Sequence, residues 1–148
     1  MEQIDLNKRY QTMLILWFAL LMSVAMYFVF LLIAAPPLNS GPRTQAQSFM
    51  IVVVMMNGAI MVALSFFVKK RFLDRAVDKQ DASLVQKGMI FACAMCEVSA
   101  LLGLVQRLIL GYPSYYLMFL LAAAGMLLHF PRRRHLEAAS FKSGNRPY

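Results

Sequence analysis

The chain has 148 residues, of which 60% are hydrophobic and only 15% charged, with a mean hydropathy of +0.59; soluble domains carry about one-quarter charged residues, so water is excluded as the solvent of most of this surface. The net charge is +8, but the basic residues sit beside apolar spans and not along one soluble face, which excludes nucleic acid as a partner and points to the inner leaflet of a bilayer. Once those spans are removed, the remaining segments are too short and polar for a second core, so no separate catalytic domain fits.

Four apolar stretches follow one another, at about 12–35, 49–68, 88–110 and 112–130, each near the roughly 20 residues that cross a hydrocarbon core of about 30 Å. The first follows Lys8-Arg9 and ends at Pro36-Pro37, which do not continue a helix. Its apolar run exceeds the roughly 7 to 15 residues of a signal-peptide core, so it reads as an uncleaved span. Pro36 to Pro42 reads as a turn-rich connection. The fourth stretch opens with Gly111-Tyr112-Pro113-Ser114-Tyr115-Tyr116, whose tyrosines suit an interfacial belt, and closes at His129-Phe130-Pro131. The expected organisation is an all-α polytopic membrane protein: a four-helix transmembrane domain over 1–130 and a basic, disordered tail over 131–148.

Orientation follows from the cations. Lys8 and Arg9 precede the first span; Lys69, Lys70, Arg71, Arg75, Lys79 and Lys87 separate the second from the third; Arg132, Arg133, Arg134, Lys142 and Arg146 follow the fourth. Only Arg43 lies in the 36–48 connection, and Arg107 sits near the far end of the third span. The positive-inside rule then places both termini and the charged loop in the cytoplasm. Within that loop Arg71 with Asp74, and Arg75 with Asp78, have the i,i+3 spacing that extends the second helix, and Ser83-Leu84-Val85-Gln86 fits a capping box that starts the third. Arg132, Arg133 and Arg134 are candidate contacts to anionic lipid headgroups.

The candidate chemistry lies in the third span. Glu97 is nine residues in from Gly88, about 14 Å at 1.5 Å per residue and so close to the bilayer midplane. A carboxyl at that depth is expected to be neutral, paired or wetted, and its side chain is too short to snorkel. Asn57 of the second span and Ser23 of the first have a similar depth, so the three are expected to form one polar layer. Arg107 is a poor partner for Glu97, being ten residues away and thus about 15 Å along the axis. Small residues surround the acid at helical spacing: Ala92, Cys96 and Ala100, Ser99 and Gly103, and Ala59 with Ala63 on the second span. They allow the close helix approach by which membrane helices pack.

The run Glu97-Val98-Ser99-Ala100-Leu101-Leu102-Gly103-Leu104-Val105 resembles the ion-carrying helix of the c subunit of rotary ATP synthases, in which an acid is followed by small and aliphatic residues, a glycine and Leu-Val. The likeness covers the second and third spans, and it implies that Glu97 binds and releases a proton or sodium ion in a ring of subunits. The chain departs from that family in having only Gly58 on the second span, no Arg-Gln-Pro in the loop, and a helix on each side of the hairpin. Vacuolar-type c subunits do have four helices, but carry the acid on the fourth.

Other chemistries are weaker in these residues. Cys93-Ala94-Met95-Cys96 is similar to the CxxC of quinone-linked disulfide-generating membrane enzymes, yet no further cysteine pair exists to shuttle with it. Covalent haem attachment needs a histidine where Glu97 stands, and His129 and His135 are the only histidines, the latter in the tail. Met22 and Met26 have a spacing suited to Cu(I), but twelve methionines in one chain read more simply as apolar filler. The sequence therefore points to a non-catalytic accessory or structural subunit of a membrane assembly in the cytoplasmic (inner) membrane. It needs no metal and no cofactor, and it has membrane-protein partners or self-association. The competing expectation is c-like proton or cation handling through Glu97.

Overall fold

The computed structural model describes residues 2–34, 37 and 44–140. Apart from residue 37, the turn expected over 36–42 lies outside the described residues, as do Arg43 and the tail residues from 141 on, including Lys142 and Arg146. Among the described residues five helices follow in order: α1 (Glu2–Ala34), α2 (Gln45–Lys79), α3 (Ala82–Leu110), α4 (Tyr115–Leu128) and α5 (Arg133–Ser140). The first three are long and apolar enough to cross a membrane, which makes this an all-α membrane protein. The fourth expected span is a helix of only 14 residues, about 21 Å at 1.5 Å per residue. Pro113 and Ser114 delay its start and the chain leaves the helix at His129.

Local chemistry sets the helix ends. Thr44 caps α2 through a reciprocal capping box with Gln47. At the other end the helix continues through Arg71, Asp74, Arg75 and Asp78, as their i,i+3 spacing predicts, and stops where Gln80 adopts a left-handed conformation with φ 51°. The capping box expected at Ser83 is displaced. Asp81 is the N-cap of α3, its carboxylate accepting the Ser83 amide at 2.8 Å. Hydrogen bonds from the Ser83 hydroxyl and amide hold the Asp81 carboxyl below the usual carboxylate range. A shorter Asx-type bond two residues upstream thus wins over the Ser-x-x-Gln pattern. Gly111 ends α3 in the left-handed region, φ 62°, donating its amide to the Gln106 carbonyl.

The bundle is organised around α3, which packs against α1, α2, α4 and α5, whereas the backbones of α1 and α2 do not come close to each other among the described residues. Its small side chains explain this position. Ala92, Cys96, Ala100, Ser99 and Gly103 are all buried, and their size lets neighbouring backbones approach on several sides at once. The expectation for α2 is corrected. Ala59 and Ala63 are exposed, because the buried edge of α2 runs through Ile51, Gly58, Val62 and Ser65. One residue further along a helix is a rotation of about 100°, enough to turn Ala59 and Ala63 off the interface.

The disordered tail expected over 131–148 is also corrected in its first part. Residues Arg133–Ser140 form α5, and Leu136 and Ala139 are buried in a cluster with Met13, Ala76, Val85, Met89 and Cys93. Leucine and alanine three apart lie on one face of a helix, so α5 covers the end of the bundle with that face and leaves Arg132, Arg133 and Arg134 exposed.

Candidate functional site

Two of the three residues expected to form a polar layer meet. Ser23 and Tyr27 are one helical turn apart on α1 and present both hydroxyls to α3. Ser23 Oγ lies 2.6 Å, and the Tyr27 hydroxyl 3.0 Å, from Glu97 Oε1. Asn57 does not join them. It is exposed on α2 and donates its amide to the Val53 carbonyl of its own helix at 2.9 Å. Equal depth placed it at the right level, but it sits one residue before the buried Gly58 and so points about 100° away. Tyr27 is the member that depth counting missed, although its i+4 relation to Ser23 is the signal that finds it.

The hydroxyl of Ser23 has two acceptors within reach, the Leu20 carbonyl at 2.7 Å and Glu97 Oε1 at 2.6 Å, and only one proton. With a charged carboxylate, Ser23 donates to Glu97, at the short distance typical of O–H···O⁻ bonds. With a neutral carboxyl, Glu97 donates to Ser23 and Ser23 donates to Leu20. Rotation of one hydroxyl therefore accommodates both states without backbone movement. Glu97 is only half-buried, so the seam between α1 and α3 is not sealed around it. The Tyr27→Phe variant should retain the fold and lose about 0.5 to 1.5 kcal/mol, the net value of one hydrogen bond. Thermal unfolding in detergent would measure this; no shift would mean that the Tyr27 contact is not held in solution.

A second polar group lies deeper. Ser65 of α2 is fully buried, with its Oγ 2.7 Å from His129 Nε2, 2.6 Å from the Val62 carbonyl and 3.6 Å from Cys96 Sγ. His129 is also fully buried, its ring 4.4 Å from that of Phe66, and its Nδ1 has no hydrogen-bond partner. In the sequence His129 marks the close of the fourth apolar run and is set aside as a haem ligand, and Ser65 carries no mark of its own. A histidine closing an apolar run and a serine inside another were the available signals. Cys93 and Cys96 are free and buried, and Met22 and Met26 are exposed on α1. Among the described residues no three His, Cys, Asp or Glu side chains are grouped to hold a metal ion.

At the opposite end of α3, Gln106 is fully buried with neither side-chain polar atom hydrogen-bonded, and Arg107 is 7% exposed with its guanidinium 5.7 Å from the Tyr115 ring centre. That cation–π contact, and not Glu97, is where Arg107 is directed. No family model, curated protein or solved structure matches this chain.

Proposed function

We propose that this chain is a small, non-catalytic accessory or structural subunit of a larger membrane assembly, with four membrane crossings, both termini in the cytoplasm, and residence in the cytoplasmic membrane. The observation that carries the reading is the closure of Glu97 on its own chain by Ser23 and Tyr27, which makes this acid a clasp between α1 and α3. The small-residue stripe of α3 is consumed inside the bundle. A partner helix would instead meet the outward face of α2, where Ala59 and Ala63 are exposed among Met56, Ile60 and Phe67. Arg132, Arg133 and Arg134 suit the inner-leaflet headgroups.

The second reading, c-like handling of a proton or cation, is favoured by the half-buried position of Glu97 and by the two acceptors within reach of Ser23. Glu97→Gln separates the two, because glutamine still accepts from both hydroxyls. The structural reading expects the assembly extracted in mild detergent to keep its mass and composition in this variant, with no change in proton flux across reconstituted vesicles. An intact assembly that has lost ion flux would overturn it in favour of ion handling.

A further inference from the structure

The three arginines and the short helix that follows them combine weakness and charge in one place. With eight residues, α5 is below the roughly 12 to 15 that an isolated helix needs in water. Arg133 and Arg134 occupy its first turn and Arg132 precedes it, where the positive end of the helix dipole opposes cations. Burial lowers the His135 imidazole, with Lys69, Arg134 and Arg132 acting in the same direction, so at neutral pH the positive charge of α5 is that of its arginines. Among the contacts that hold the helix down, Leu136 and Ala139 pack into the cluster that includes Cys93, and the Arg133 guanidinium lies 4.7 Å from the Tyr10 ring centre on α1.

The surroundings identify what would relieve the repulsion. Leu127, Leu128 and Phe130, immediately before the arginines, are exposed apolar residues, so the chain passes from a tail-facing surface to exposed cations within a few positions. That order matches the passage from acyl chain to phosphate in a phospholipid, and guanidinium groups pair well with phosphate oxygens.

We propose that Arg132, Arg133 and Arg134 form a binding site for anionic phospholipid headgroups, and that lipid bound there holds α5 docked as a cap over Cys93. The proposal rests on the membrane placement of α1 to α3. Hydrogen exchange on the chain in nanodiscs of phosphatidylcholine alone, or with phosphatidylglycerol added, tests it. The α5 amides should exchange about tenfold or more slowly when the anionic lipid is present, since attraction accrues with each arginine at a charged surface. In a Cys96→Ser background, modification of Cys93 by a small maleimide should slow in parallel. The variant R132Q/R133Q/R134Q should show fast exchange and fast labelling in both discs. Equal α5 protection in the two discs, a lipid response that survives the triple substitution, or the same protection produced by inorganic phosphate in phosphatidylcholine discs would each overturn the lipid site. Strong protection of α1 to α3 in both discs is expected; rapid exchange there would instead overturn the membrane placement, and the proposal with it.

Discussion

Gly88→Ala should be among the most damaging single-methyl changes in the bundle. A Cβ at this position would lie 2.5 Å from Phe72 Cβ, a distance real side chains essentially never show, and 3.2 Å from its Cγ. Phe72 has little room to yield, because the contact is beside its own backbone and its ring is stacked on Phe91 at 5.7 Å. Two effects compete. Alanine is the better helix former by about 1 kcal/mol, whereas overpacking a close helix contact costs about 1 to 3 kcal/mol. The steric term should win, lowering the unfolding midpoint in detergent and loosening the α2–α3 hairpin. Gly58→Ala offers an internal comparison, since the nearest atom to its Cβ is the Met118 sulfur at 2.6 Å, on a side chain flexible enough to move. Equal or higher stability of Gly88→Ala would show that α2 and α3 do not approach so closely.

Those contrasts also mark what the residues reveal before folding and what they withhold. The long apolar runs and their cationic flanks are legible in the sequence, and counting residues along the spans joins Ser23 to Glu97. Azimuth is not. In a soluble helix the polar face tells which side is out, but lipid accepts Phe49, Met56 and Ile60 as readily as a core does, so α2 carries little amphipathic signal. Ala59 and Ala63 therefore passed for packing residues, and Asn57 for a partner of Glu97, each about 100° out of place. On α3 the same reasoning succeeds because small residues occupy most of the inward positions. α5 escaped notice for another reason. Its helix rests on Leu136 and Ala139 meeting Met13 and Met89 from distant parts of the chain, and long-range docking of this kind leaves no mark in a short, charged, locally weak segment.

The Ser65–His129 pair should reveal itself as an energetic coupling rather than as a pair of independent contributions. Ser65→Ala leaves Nε2 of His129 without the partner it has at 2.7 Å, in a ring whose Nδ1 already lacks one. A buried polar group stripped of its partner costs about 1 to 3 kcal/mol, so this single substitution should be clearly destabilising. His129→Leu has a different balance. Ser65 still donates to the Val62 carbonyl at 2.6 Å, and what is lost is chiefly the ring contact with Phe66, worth about 0.5 to 1.5 kcal/mol for an aromatic pair. In the double variant no orphaned imidazole remains, so Ser65→Ala should cost much less when leucine occupies 129 than when histidine does. The Phe66 term is common to both backgrounds and cancels in the cycle, which leaves the Ser65–His129 interaction isolated. Unfolding midpoints of the four proteins in one detergent measure it. A coupling of roughly 1 kcal/mol or more identifies the bond as the staple that fixes the end of α4 against α2; strictly additive effects would mean that Ser65 and His129 are neighbours without a stabilising bond.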